Sequence, residues 1–164
     1  MDEVDVIVEQ WQRERPELDL AAVGTAGRFG RFAMLAGRVV DDGFKQHGLQ
    51  RGEFDVLAAL RRSGPPYELI PSVLAASLMM SRAGMTSRLD RLEAAGLVER
   101  RLDPADRRSF LVALTDEGTT TVDAAMTDHA ADEARLLAPL TDAEHAALDA
   151  ILRKLLAAVE PERP

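Results

Sequence analysis

Seven arginines fall within residues 81–110, and the residues beside them decide what they can do. In Ser81–Arg91 (SRAGMTSRLDR), Arg82, Arg88 and Arg91 alternate with small residues and hydroxyls; in Asp103–Arg108 (DPADRR), Arg107 and Arg108 end a turn-forming run. A guanidinium carries a fixed charge and a rigid fork of donors, which suits phosphates and base edges. Five acids in the same window leave it at +2, whereas residues 1–22 carry −5, residues 128–164 carry −4 and the whole chain carries −8. An acidic total does not exclude nucleic acid, because binding depends on where charge lies, and acidic ends suppress indiscriminate adhesion. Other chemistries find little support. No nucleophile–base pair, phosphate loop or paired catalytic carboxylate stands out, so catalysis is not expected. His47, His129 and His145 lack the spacing of a metal site, and neither metal nor cofactor is expected. The absence of cysteine excludes disulfides, thiolate ligands and cysteine-based peroxide sensing.

The arginines must be positioned by Leu74–Arg101, which reads as a short helix, a tight turn, a second helix, a glycine stop and the start of a strand. Ser81 can cap the second helix through its hydroxyl. Met85, Leu89 and Leu92 recur at four- and three-residue spacing and face inward, and Gly96 ends the helix in a left-handed cap. At about 100° per residue, Ala83, Ser87 and Arg91 fall opposite that core stripe, with Gly84 near them. This small, polar and basic face suits a major groove, and the groove-reading set is Arg82, Thr86, Ser87 and Arg91. Arg91 could instead pair with neighbouring acids. Behind the helix, Leu97–Leu102 and Ser109–Thr115 are short runs of β-formers around the DPADRR turn. A helix-turn-helix followed by a two-stranded wing is a winged helix.

From Glu53 to Gly118 the chain closely resembles the MarR family of transcriptional regulators, notably in SRAGMTSRLDRLEAAGLVERR and DPADRRSFLVALTDEG. The resemblance implies an intertwined homodimer that binds a double-stranded, pseudo-palindromic operator and answers to a ligand as a repressor. It implies that Arg108, beside Arg107, enters a minor groove and that Asp106 holds the wing's geometry. Trp11, Asp55, Arg88 and Arg100 also match, in order and context, four residues of the family's urate-responsive, PecS-like subgroup. There the arginines and tryptophan hold an anionic purine, and the aspartate contributes. Urate is therefore the first expected effector, with aconitate, citrate or a phenolic acid as alternatives. Each of the four residues also has an ordinary structural role open to it: Trp11 could pin a helix, Asp55 could favour a helix dipole and Arg100 could pair on the sheet.

The flanks complete a mainly α fold with a small β wing. Helices are expected at residues 3–15, with Val4, Ile7, Val8 and Trp11 on one face, and at 23–46, with Phe29, Phe32, Leu35, Val39 and Phe44 as its stripe. A third runs over 50–62; after the Ser63–Pro66 loop, Ser72 is the expected cap of the next. Thr115 should cap a helix reaching Leu136, and Thr141-Asp142-Ala143-Glu144 spells a capping box. The last helix carries Leu148, Ile151, Leu152, Leu155, Leu156 and Val159, more apolar surface than a small domain needs. The 164 residues are expected to form a single domain, with residues 1–48 and 116–164 as the dimerisation region and 50–115 as the DNA-binding lobe. No apolar run spans a membrane and the N-terminus lacks a signal layout, so a cytoplasmic protein is expected. A winged-helix protein-interaction module would suit the acidic ends but leave the arginine-tipped wing unused.

Overall fold

The computed structural model describes residues 1–104 and 109–160. Within them the order is α1 (Glu3–Glu14), α2 (Ala21–Gln46), α3 (Arg51–Arg62), β1 (Glu68–Leu69), α4 (Pro71–Ser77), α5 (Arg82–Ala94), β2 (Val98–Leu102), β3 (Phe110–Leu114), α6 (Asp116–Leu137) and α7 (Asp142–Val159). The strands form one antiparallel sheet ordered β1-β3-β2, with Val98 opposite Leu114 and Leu102 opposite Phe110 along the wing. None of the described helices is long and apolar enough to cross a membrane.

The core gathers under α3, α4 and α5. Leu57 and Leu60 of α3, Leu74 of α4, Met85, Leu89 and Leu92 of α5, and Val112 of β3 are all buried, joined by Phe44 and by Val122 of α6. The stripe read for α5 is thus the face that seats it. Ser81 caps that helix by accepting from the Gly84 amide at 3.1 Å, and Gly96 takes φ +72° at its end. The tight turn before it puts the exposed Met79 at φ +51°.

The Leu-Thr-x-x-Gly run at 114–118 fastens the base of the wing. Thr115 Oγ1 accepts from the Gly118 amide at 2.9 Å and donates to the Gly96 carbonyl at 2.7 Å, tying the start of α6 to the end of α5. Gly118 lies so close to the Leu97 carbonyl that an added Cβ would overlap it.

One expectation needs correction, and one strand was missed. Ser72 is not the cap of α4: Ile70 is, without a side-chain bond, and Pro71 takes the first helical position, where its fixed φ and missing N–H cost nothing. Strand β1 was not foreseen; its two residues follow a proline pair and pair with Ala113 and Val112. The apolar stripes of α1 and α2 do not become core in the single chain. Val4 and Phe44 are buried, but Trp11 is 52% exposed, Phe29 58% and Phe32 48%. In α7 no residue is buried, while Thr141 and Glu144 form the expected capping box.

Candidate nucleic-acid interface

Arg82, Thr86, Ser87 and Arg91 are all exposed on α5. Arg82 and Thr86 border a recess of about 360 Å³ with Pro71, Ser72, Met85 and Phe110, facing α4 and the wing. Thr86 Oγ1 donates to the Arg82 carbonyl at 3.1 Å. Ser87 stands on the outer face and accepts from Arg91 Nη1 at 3.0 Å. Arg91 pairs with an acid, but with Glu53 of α3 at 2.7 Å rather than with a neighbour on its own helix. Asp106, Arg107 and Arg108 lie outside the described residues.

The wing is braced against α5 by Arg100. This guanidinium reaches Asp90 at 2.5 Å and Glu93 at 2.9 Å, both on α5, and its carbon stands 5.4 Å from the centre of the Phe110 ring. Its Nε is buried without a partner among the described residues. Arg100 is thus a lock between helix and wing.

Arg88 occupies the other flank of α5. Arg88 and Asp90, two residues apart, are turned about 200° from one another. The Arg88 guanidinium covers Gly52 so closely that a Cβ there would overlap it, and Nη1 lies 3.4 Å from Met80 Sδ. Asp55 follows Gly52 by three residues on α3, and burial pushes its carboxyl above the usual carboxylate range, opposed by the charges of Arg51, Arg88, Arg62 and His129. Of the four residues grouped by resemblance, the single chain therefore brings together Asp55 and Arg88. Arg100 is engaged across α5, and Trp11 lies exposed on α1, which packs on α2. Resemblance supplied the residue types; only the fold shows which flank each takes.

Sequence reasoning also missed Gly52 and Glu53. The Gln50-x-x-Glu53 spacing was a legible signal, since it forms a capping box in which Glu53 Oε2 accepts from the Gln50 amide at 2.8 Å. The ion pair across 38 residues had no local signal. His47 Nε2 meets Asp128 at 2.8 Å, and the His129 ring centre lies 5.2 Å from that of Phe44 and 5.6 Å from that of Phe54. Among the described residues no three His or carboxylate groups converge as metal ligands.

A buried helix seat, an outward polar-basic helix face and a wing locked beside it define a winged helix-turn-helix regulator. Comparison with known proteins is specific. The sequence model of the MarR family matches residues 47–109. The HTH-type transcriptional regulator PecS of Dickeya dadantii is 40% identical over 153 residues, covering 93% of this chain and 92% of its own. MarR of Escherichia coli shares the fold at a TM-score of 0.68 and 27% identity, covering 79% of this chain and 95% of that one. Sco3205 of Streptomyces coelicolor, a MarR-family regulator in complex with DNA, superposes at a TM-score of 0.76 with 22% identity, covering 88% and 91%. The chain belongs to the MarR family of DNA-binding transcriptional regulators.

Proposed function

We propose that this protein is a cytoplasmic repressor that binds a pseudo-palindromic operator as a homodimer and releases it when a small planar anion binds. The observation that carries the reading is the exposed face of α5: Arg82, Thr86, Ser87 and Arg91 stand clear of the core beside a wing that Arg100 locks to the same helix. Phosphate contacts would set the register, and base edges would be read from this face. Arg107 and Arg108, held by Asp106, would supply the minor-groove contact. Residues 50–115 are the reading lobe, and residues 1–48 with 116–164 bring two lobes together.

Dimerisation is supported by the unfilled apolar surface between α2 and the end helices. Phe29, Phe32, Leu148, Ile151, Leu152 and Leu155 line an open groove of about 890 Å³. Such a face on a regulator with acidic termini suits a second copy of the same chain, packed about a two-fold axis.

The effector site is centred on Arg88 and Asp55. An anion taken by Arg88 would lie near Asp55, whose protonated form burial favours, and would pull directly on the helix that reads bases. Arg100 would transmit that movement to the wing through Asp90 and Glu93, and Trp11 would take part where α1 meets this flank in the dimer. Urate is the first ligand, aconitate or citrate the second and a phenolic acid the third. The test titrates each against a fluorescent operator complex while following Trp11, the chain's one tryptophan. Expected is release of DNA over the range in which emission changes, with both responses lost in Arg88→Ala. Flat signals to millimolar concentrations would refute the effector reading. Release without a Trp11 response would remove Trp11 from the site.

A further inference from the structure

We infer that Glu53 is a positioning residue for sequence readout: it fixes Arg91 so that this arginine discriminates bases instead of gripping any phosphate within reach. The inference rests on the DNA-reading role proposed for α5. Glu53 belongs to the scaffold helix α3, and its side chain is only 9% exposed, so water cannot satisfy its charge. Both oxygens are committed. One accepts from the Gln50 amide at 2.8 Å, which closes the capping box of α3; the other accepts from Arg91 Nε at 2.7 Å. The carboxylate is therefore anchored to backbone before it meets the arginine.

Arg91 is held at a second point, because its Nη1 donates to Ser87 Oγ at 3.0 Å one turn earlier on α5. Two bonds from different atoms of a planar group fix both its place and its plane. These two bonds leave Nη2 and the second Nη1 hydrogen unengaged, on a side chain that is 47% exposed. A free arginine at this position would follow the nearest phosphate, a contact that carries no sequence information and releases a counterion. With its charge offset and its plane fixed, Arg91 loses that freedom and keeps an oriented fork, the geometry that reads a base edge. The chain Gln50 amide, Glu53, Arg91, Ser87 thus makes the scaffold a partner in selectivity.

The test needs a duplex enriched by the wild-type protein from a random-sequence pool and an unselected duplex of equal length. Affinity for both is measured across salt for wild type, Glu53→Gln, Arg91→Lys, Arg91→Ala and the Glu53→Gln/Arg91→Ala pair. Glutamine keeps an acceptor for the Gln50 amide but removes the charge; far-ultraviolet dichroism and sedimentation check that each variant folds and assembles. In Glu53→Gln the unselected duplex should bind about three- to tenfold tighter, with a salt slope steeper by about 1, and the ratio of selected to unselected affinity should fall about tenfold. Arg91→Lys, which keeps the charge and loses the fork, should lower the ratio by a similar factor. Adding Glu53→Gln to Arg91→Ala should change the ratio no further. A folded Glu53→Gln with a ratio within about twofold of wild type would overturn the inference. If that variant fails to fold, an unchanged ratio in Arg91→Lys overturns it equally. A wild type that enriches no sequence would bring down the DNA-reading proposal itself, an outcome distinct from either.

Discussion

Leu155→Glu separates a groove that is merely open from one that a second copy fills. Leu155 is 56% exposed in the single chain, as is Ile151 one turn before it, and α7 contributes no buried residue to the fold. A glutamate at 155 should therefore leave the isolated protomer folded. In the dimer the cost is larger. Complete burial of a leucine side chain is worth about 1.5–3 kcal/mol, so the exposed 56% would contribute about 0.8–1.7 kcal/mol per copy. A two-fold interface counts the position twice, which raises the loss to about 1.7–3.4 kcal/mol per dimer. That corresponds to a roughly 20- to 300-fold weaker dimer, before the cost of desolvating two carboxylates is added. Sedimentation from nanomolar to micromolar protein reads the shift directly, with helix content by dichroism as control. An unchanged dimer constant in a folded Leu155→Glu would refute the assignment of this face, and a collapsed fold would show that α7 belongs to the protomer's core.

Other substitutions probe the remaining links. Gly118→Ala would set a Cβ against the Leu97 carbonyl; strain of this kind costs about 1–3 kcal/mol, so chemical unfolding should show a lowered midpoint with the slope kept. Burial raises the pKa of Asp55, so the fold favours its protonated form. Stability from that group is present at low pH and declines as pH climbs from the ordinary aspartate value through the raised one. Melting curves of wild type should show that decline, and those of Asp55→Asn should not. Arg108→Ala should weaken operator binding by about 1–3 kcal/mol and flatten the salt slope with no change in melting temperature; equal affinity at every salt concentration would place Arg108 away from DNA.

The reading lobe was legible because its signals are local. The core stripe Met85-Leu89-Leu92, the Ser81 cap and the glycine stop at Gly96 each need only a few residues of context, and all three stand as read. The wing strands followed from short β-forming runs around a proline-aspartate turn. What escaped depends on distance or on assembly. Arg88 and Arg100 were grouped by resemblance, and the single chain shows them engaging opposite sides of α5. The Glu53–Arg91 pair joins two helices whose contact is a property of the whole fold. Phe29, Phe32 and Trp11 were read as apolar helix faces and one chain leaves them open, since periodicity shows which face is apolar but not which surface covers it.

The central claim is a two-fold reading of DNA by two copies of α5, and one titration addresses it most directly. Sedimentation with a labelled duplex gives stoichiometry and affinity together, using an enriched pseudo-palindrome with half-site centres about 10 bp apart and the same duplex with one half-site scrambled. Two protomers per intact duplex are expected, with affinity falling steeply as salt rises and at least about 100-fold weaker binding to the scrambled duplex. One protomer per duplex, or equal affinity for the two duplexes, would contradict it.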